Sequence, residues 1–309
     1  MNIESVNTEP FVGYHLFHEH INVTIKILTA SLNNTIAHIT NSKDDKELGN
    51  LIARTDSAWN LPPIWSFSGM PEQQVYGFVS ELGLVSAFSA LDDFFDGVEA
   101  EIERWNSKLE ETKKMIPADC YDKADEKVLT IYRKYDWDTN KIDKYFPILK
   151  YFRLARNCIA HRNSKASPAL TEYSGSTELD TEFSKNFKNK TISTLPIFER
   201  DEKVVIDPKL AIFLSHILRC ICKDVNEILL SFLGEDGVLN MAAQHGFLRE
   251  KPVETDAYRT PEAIFNFILT DRYRVILKDD REAISRASDL GIWKPCLNQF
   301  ETLDRKVRA

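Results

Sequence analysis

Apolar residues spaced by three and four recur along almost the whole chain, and this spacing limits it to helical folds. Between residues 14 and 41 the series Ile21, Ile25, Leu28, Leu32, Ile36 and Ile39 draws one apolar stripe down an amphipathic helix. Gly and Pro number only 11 and 12 in 309 residues, so few positions interrupt such stripes. An all-α protein is the expectation.

The breakers that do occur divide the helices. A charged stretch, Lys43 to Trp59, predicts a short helix stopped at Leu61-Pro62-Pro63. Met70-Pro71-Glu72 opens a long helix expected to run to Lys114, with Pro in its first turn and Glu72 suited to the helix dipole. Pro117 closes it, and a shorter helix is expected over 121–135. Asp138-Thr139-Asn140 reads as a turn and N-cap for the next, over 144–161. The polar run from Asn163 to Lys190 then predicts a mobile or functional loop. Residues 193–198 and 203–206 predict a small β-hairpin with Pro196 on an edge. Asp207-Pro208 begins a last long helix to Leu233, closed by Gly234 and Gly237. Helical signals return at 261–269 and 280–290.

Four helices over about 73–233, with an insertion between the third and fourth, make a four-helix bundle by count. The expected organisation is therefore an N-terminal helical extension (1–72), a bundle (73–235) and a C-terminal helical appendage (236–309). The stretch 281–293 has a slight likeness to a helix-turn-helix, a pattern too common to argue DNA reading.

Composition narrows the setting. The formal charge of −8 excludes a surface that is basic throughout, so any nucleic-acid contact must come from a local patch. The N-terminal residues MNIESVNTEPF lack the basic and apolar regions of a secretory signal, which predicts a cytoplasmic protein. The most apolar stretch, 210–233, is interrupted by His216, Arg219, Lys223, Asp224 and Glu227, so no membrane span is expected. Five cysteines without C-x-x-C spacing are expected to be reduced thiols rather than zinc ligands.

A basic patch does exist. From Lys141 to Lys165 seven cations (Lys141, Lys144, Lys150, Arg153, Arg156, Arg162, Lys165) stand against the single acid Asp143, interleaved with Tyr145, Phe146, Tyr151 and Phe152. Cations attract phosphates and aromatic rings anchor bases, so the segment suits an RNA backbone. It ends in Arg156-Asn157-Cys158-Ile159-Ala160-His161. Metal-free RNA cleavage needs a proton acceptor for the attacking 2′-OH, a proton donor to the leaving 5′-oxygen, and positive charge on the phosphorane. Histidine carries protons near neutrality, and a forked guanidinium stabilises equatorial oxygens. Positions five apart on one helix lie ~140° from each other, so Arg156 and His161 share a face only if the helix unwinds at its end. The bland alternative pairs Arg156 with an acid and leaves His161 and Arg162 complementing a helix C-terminus.

Arg156-Asn157-Cys158-Ile159-Ala160-His161-Arg162-Asn163, on the third helix of an expected bundle, resembles the R-x4-6-H signature of HEPN domains. Ala90-Leu91-Asp92-Asp93-Phe94-Phe95 is similar to the HEPN first helix, where an acid follows a leucine. The likeness spans about residues 75–233, and its specific part is the six-residue core. It implies a HEPN-like four-helix bundle acting as a metal-independent endoribonuclease with no cofactor. It further implies a homodimer with both motifs in one cleft, of the kind found in toxins and antiviral-defence effectors, where an antitoxin or regulatory protein is a possible partner. By this resemblance Arg156 binds the scissile phosphate, His161 transfers a proton, Asn157 orients phosphate or histidine, and Asp92, or else Asp93, holds Arg156 or His161. Arg153, Arg162, Lys150 and Lys165 are the expected RNA-binding cations. Toxins silenced by a nucleotidyltransferase antitoxin carry a tyrosine two residues after the histidine; here that position is Asn163, which gives such a modification no support.

Three rival readings remain. A HEPN-like module without catalysis could serve as a dimeric scaffold. Asp92-Asp93-Phe94-Phe95-Asp96 resembles the DDxxD motif of class I terpene synthases, with Asp92 and Asp96 spaced to share Mg²⁺, yet the second metal motif of that family has no counterpart. The His15-Leu16-Phe17-His18-Glu19-His20 cluster lacks partner ligands for a metal site.

Overall fold

The computed structural model describes residues 6–42, 47–56, 72–118, 127–188, 192–249, 260–277 and 279–307. Among these there is no strand, and the protein is all-α. Its helices are α1 (Glu9–Ser42), α2 (Glu47–Thr55), α3 (Glu72–Asn106), α4 (Lys127–Lys134), α5 (Phe146–His161), α6 (Pro168–Ser174), α7 (Thr177–Asn186), α8 (Pro208–Ala243), α9 (Pro261–Phe267), α10 (Asp280–Asp289) and α11 (Trp293–Val307). The stops expected at 61–63 and the start at 121 lie outside the described residues.

Three differences from the sequence expectations have local causes. First, α3 ends at Asn106, eight residues short of Lys114. The Asn106 side chain donates from Nδ2 to the Met115 carbonyl (2.7 Å) and accepts from the Met115 N–H at Oδ1 (2.9 Å). An amide side chain offers the backbone an alternative to the helical ladder, and here it folds the chain back. Second, the polar run 163–190 is no loop: it holds α6 and α7. Ser167 and Ser176 each accept the N–H three residues on, from Leu170 (3.2 Å) and Leu179 (3.3 Å), and Pro168 occupies the first turn of α6. The serines are N-caps, and Leu170, Tyr173, Leu179 and Phe183 are buried. Third, the expected hairpin is absent. Lys203 bridges to Lys165 instead, with the N–H of Val204 donating to Ser164 (2.7 Å) and that of Ala166 to Glu202 (2.8 Å).

Gly234 breaks α8 as expected, at φ 58° and ψ −169°, but helix resumes and reaches Ala243 before a π-helical turn over Gln244–Leu248. Gly237 does not end it. A Cβ there would stand 2.7 Å from the Leu233 Cβ and 3.2 Å from the Trp105 ring, so glycine is required by close packing. Gly237→Ala is expected to destabilise the protein by about 1–3 kcal/mol, read as a lower denaturant midpoint.

Contacts group the chain into two compact units, each drawn from more than one stretch of the sequence. One unit comprises Met1–Leu16, Leu91–Thr139 and Cys220–Ala309. Its buried residues include Phe95, Ile102, Tyr132, Val225, Leu229, Phe247, Phe265 and Tyr273, with Trp293 meeting Phe265 and Phe247 at 5.3 and 6.2 Å between ring centroids. Tyr132 donates 2.6 Å to the buried Asp224 carboxylate. Thr8 gives its N–H and hydroxyl to Asn226 Oδ1 (2.8 and 2.7 Å), and Asn226 Nδ2 returns a bond to the Val6 carbonyl (3.1 Å).

The other unit comprises Phe17–Ala90 and Asn140–Arg219. Helix α5 is its central element: Ile148, Leu149, Tyr151, Phe152, Ala155 and Cys158 are buried on one side. Phe152 and Phe183 of α7 both contact Phe213 of α8 edge to face. Leu84, Ala87 and Phe88 of α3 and Leu214 and Ile217 of α8 fill the same core. His18, one of the clustered histidines, accepts or donates at Nδ1 to Ser215 Oγ (2.8 Å) and at Nε2 meets Asn22 (3.2 Å), a satisfied buried imidazole.

Candidate functional site

The periodicity of α5 sorts its polar residues. With the buried row fixed by Ile148, Phe152, Ala155 and Cys158, a turn of 100° per residue sets Arg153, Asn157 and His161 on the opposite side at successive four-residue steps. Arg153 and Asn157 are half-buried and His161 is exposed. Lys150 belongs to the same side, its ammonium 4.1 Å from the Tyr173 ring centroid on α6.

Arg156 lies on the flank. Its guanidinium sits over Phe88 of α3, 5.4 Å from the ring centroid, a cation–π contact of about 0.5–2 kcal/mol. Its Nε is buried and has no hydrogen-bond acceptor among the described residues. Nor does any described carboxylate pair with Arg156, so the acid partner of the bland alternative is missing among them. A buried donor without an acceptor costs about 1–3 kcal/mol, a cost removed when a ligand oxygen meets it. Arg156, Asn157 and His161 thus present three polar side chains with no hydrogen bond to a described residue.

Helix α5 remains regular through His161. The first non-helical residue is Arg162 (φ −127°, ψ 20°), whose N–H still reaches the Cys158 carbonyl at 3.0 Å. Unwinding therefore begins one residue too late to turn His161 toward Arg156, and the two diverge by ~140° within one chain. Beyond the helix, Asn163 (φ 51°) and Ser164 (φ 58°) are both left-handed, and the Ser164 N–H also binds the Cys158 carbonyl, at 3.1 Å. Two further bonds lock this reversal. Ser164 Oγ donates to Glu81 Oε1 (3.0 Å), and Cys158 Sγ accepts from the Ser167 N–H (3.3 Å).

The other expected cations divide. Arg162 pairs with Asp201 (3.4 Å) and donates from Nε to the Lys165 carbonyl (3.3 Å), so it ties the loop together. Lys165 is exposed, and its backbone makes the bridge to Lys203. Sequence reasoning missed Phe88, which seats Arg156, and the Arg153/Asn157/His161 row, for which the four-residue spacing was the signal. It also missed Lys203, whose ammonium lies over the half-exposed Phe78, 5.5 Å from the ring centroid.

Asp92 belongs to the first unit described, where its carboxylate pairs with Lys127 (3.3 Å); Asp96 pairs with the same ammonium at 3.0 Å. The two aspartates of the DDxxD string thus converge on a cation supplied by α4. Asp93 is exposed.

No family model, curated protein or solved structure matches this chain. Among the described residues no helix is long and apolar enough to cross a membrane.

Proposed function

We propose that the chain is a metal-independent endoribonuclease of HEPN type, built as a HEPN-like four-helix bundle and working as a homodimer in toxin or antiviral-defence systems. The observation that carries the reading is Arg156: a guanidinium seated on Phe88, with a buried Nε lacking an acceptor and no described carboxylate to neutralise it. A phosphate oxygen supplies what that fork lacks. Asn157 and His161 stand one turn apart on another side of α5, with Arg153 and Lys150 along that same side to follow the backbone.

The chemistry follows from these groups. The 2′-oxygen attacks phosphorus as its proton passes to a base, Arg156 stabilises the phosphorane oxygens, and the bond from phosphorus to the 5′-oxygen breaks as that oxygen takes a proton. The products are a 2′,3′-cyclic phosphate and a 5′-hydroxyl. His161 is the proton carrier, being exposed at the helix end and able to exchange with both substrate and solvent. The ~140° divergence is met by a second copy, so that Arg156 of one chain and His161 of the other address one phosphate.

That same divergence favours a second reading, a catalytically silent HEPN-like dimeric scaffold. Incubating the purified protein with RNA in EDTA and mapping the product ends separates the two. Cyclic-phosphate and 5′-hydroxyl ends support the nuclease, and intact RNA across substrates and candidate activators leaves the scaffold.

A further inference from the structure

In the unit containing α5, a cavity of about 510 Å³ opens between α1, the start of α3, and the segment that leads into α8. Such a volume suits a small organic ligand. Its walls combine three chemistries. Tyr76 and the rings of Pro196 and Pro208 offer flat apolar surface; Asn33 offers an amide; Lys209 offers an ammonium. The Tyr76 hydroxyl donates to Asn33 Oδ1, which fixes the amide and leaves its NH₂ without an acceptor among the described residues. Lys209 has no carboxylate partner among them either; the nearby Asp207 uses Oδ1 to cap the Lys209 backbone N–H at 2.7 Å. A second hollow of about 250 Å³ shares Pro196, Asp207 and Lys209, so Lys209 borders both.

We infer that this cavity binds a nucleoside monophosphate unit, the base against Tyr76 and the prolines, its polar edge at Asn33, and the phosphate at Lys209. A ring face stacks on aromatic surface whatever the base, and an amide reads a base edge. On a chain of net charge −8, an anion is held only where a local cation receives it. The unit is either a free mononucleotide or one unstacked nucleotide of an RNA strand.

The cavity wall is mechanically joined to α5. The Pro196 carbonyl accepts from Tyr151 (2.9 Å), and the strap bearing Val205 and Ile206 is bonded at Val204 to Ser164, three residues past His161. Occupancy is therefore expected to slow amide exchange along 201–206 as well as at the cavity.

The test is calorimetric titration of the full chain with AMP, GMP, CMP and UMP, and with a 2′-O-methyl oligonucleotide that cannot be cleaved, so that the outcome does not depend on nuclease activity. One saturable site per chain is expected. Lys209→Gln should weaken it about tenfold, the loss of one charge-assisted contact, and Tyr76→Ala by more, with Tyr76→Phe close to wild type in stacking. Binding of mononucleotides assigns the free ligand; binding of the oligonucleotide alone, sensitive to Lys209→Gln, assigns an RNA nucleotide. Absence of binding to any probe at millimolar concentration overturns the inference. So does binding that the exposed, fold-neutral Lys209→Gln leaves unchanged.

Discussion

His161→Ala is expected to abolish RNA cleavage, by about 10²–10⁴-fold, while leaving the unfolding midpoint of the protein unchanged. The imidazole is exposed and makes no hydrogen bond to a described residue, so its loss empties no core space and orphans no partner. Arg156→Ala should cost as much activity, with a small stability loss from the Phe88 contact. The pair also tests the dimer. If each active site takes Arg156 from one chain and His161 from the other, mixing the two inactive variants creates heterodimers with one site wholly restored. Random reassortment makes half the dimers mixed, each with one of two sites, so activity should recover to about a quarter of wild type. No recovery from variants that exchange subunits would show either that both residues act within one chain or that all four are needed together. Wild-type protein that cuts no RNA would leave the scaffold reading.

Glu9→Ala is expected to destabilise the protein by about 3 kcal/mol, because it removes the partner of the partly buried Arg272 and the acceptor of the buried Tyr273 hydroxyl. Arg272 holds the Glu9 carboxylate with two bonds (2.7 and 2.8 Å), Tyr273 donates at 3.1 Å, Arg249 stands 3.7 Å away, and His245 Nδ1 lies 3.0 Å from Oε1. The His245 approach is a contact of charge rather than an aligned hydrogen bond. Burial works to raise the Glu9 pKa, but the hydrogen bonds and charge of Arg272, with His245 close by, outweigh it and hold the carboxyl at about 2. A folded value below the unfolded one contributes stability that is complete above pH 4.5 and lost as pH falls toward 2, roughly 3 kcal/mol at ~1.4 kcal/mol per unit.

His245 acts in the same direction at higher pH. Burial lowers its pKa more than Glu9 raises it, so below 6.5 the unfolded chain takes a proton that the folded one resists, and stability declines. Glu101, raised by burial against the pull of Arg104, opposes this, since its penalty grows as pH rises above 4.5. Denaturant titrations from pH 7 to pH 3 should therefore show wild type weakening on acidification. Glu9→Gln should be unstable at pH 7 with the Glu9-dependent part of the slope gone. An unchanged slope would show that other groups set the acid response.

The helices were legible because apolar spacing is a local signal that burial then uses, in part: of the stripe in α1, Ile25 and Ile36 are buried, Ile21 and Leu32 are half-buried and Leu28 is exposed. So were the position of α5 and the left-handed break at Gly234. What failed was the reading of polar residues. In 163–190 serine reads equally as loop or as cap: Ser167 and Ser176 are caps that start helices, and capping is separable from looping only through the Leu170 and Leu179 that follow into the core. Asn106 gave no advance sign, since its partner Met115 is fixed by chain reversal. For the site, Arg156, Asn157 and His161 could be named from the string itself. Their separation around α5 depended on where the helix ends, and a boundary one residue earlier would change that answer. Phe88 lies 68 positions from Arg156, and no local pattern connects them.

The double left-handed turn after His161 also bears on how the protein ages. Asparagine followed by a small residue loses ammonia when the next backbone nitrogen attacks its side-chain carbonyl and closes a cyclic imide, which water then opens to a carboxylate. Here the attacking nitrogen would be that of Ser164, and its N–H is engaged by the Cys158 carbonyl while the Ser164 hydroxyl is held by Glu81. The same bonds that set the loop keep that N–H engaged, so the turn protects a stretch two residues from His161 from acquiring a negative charge with time.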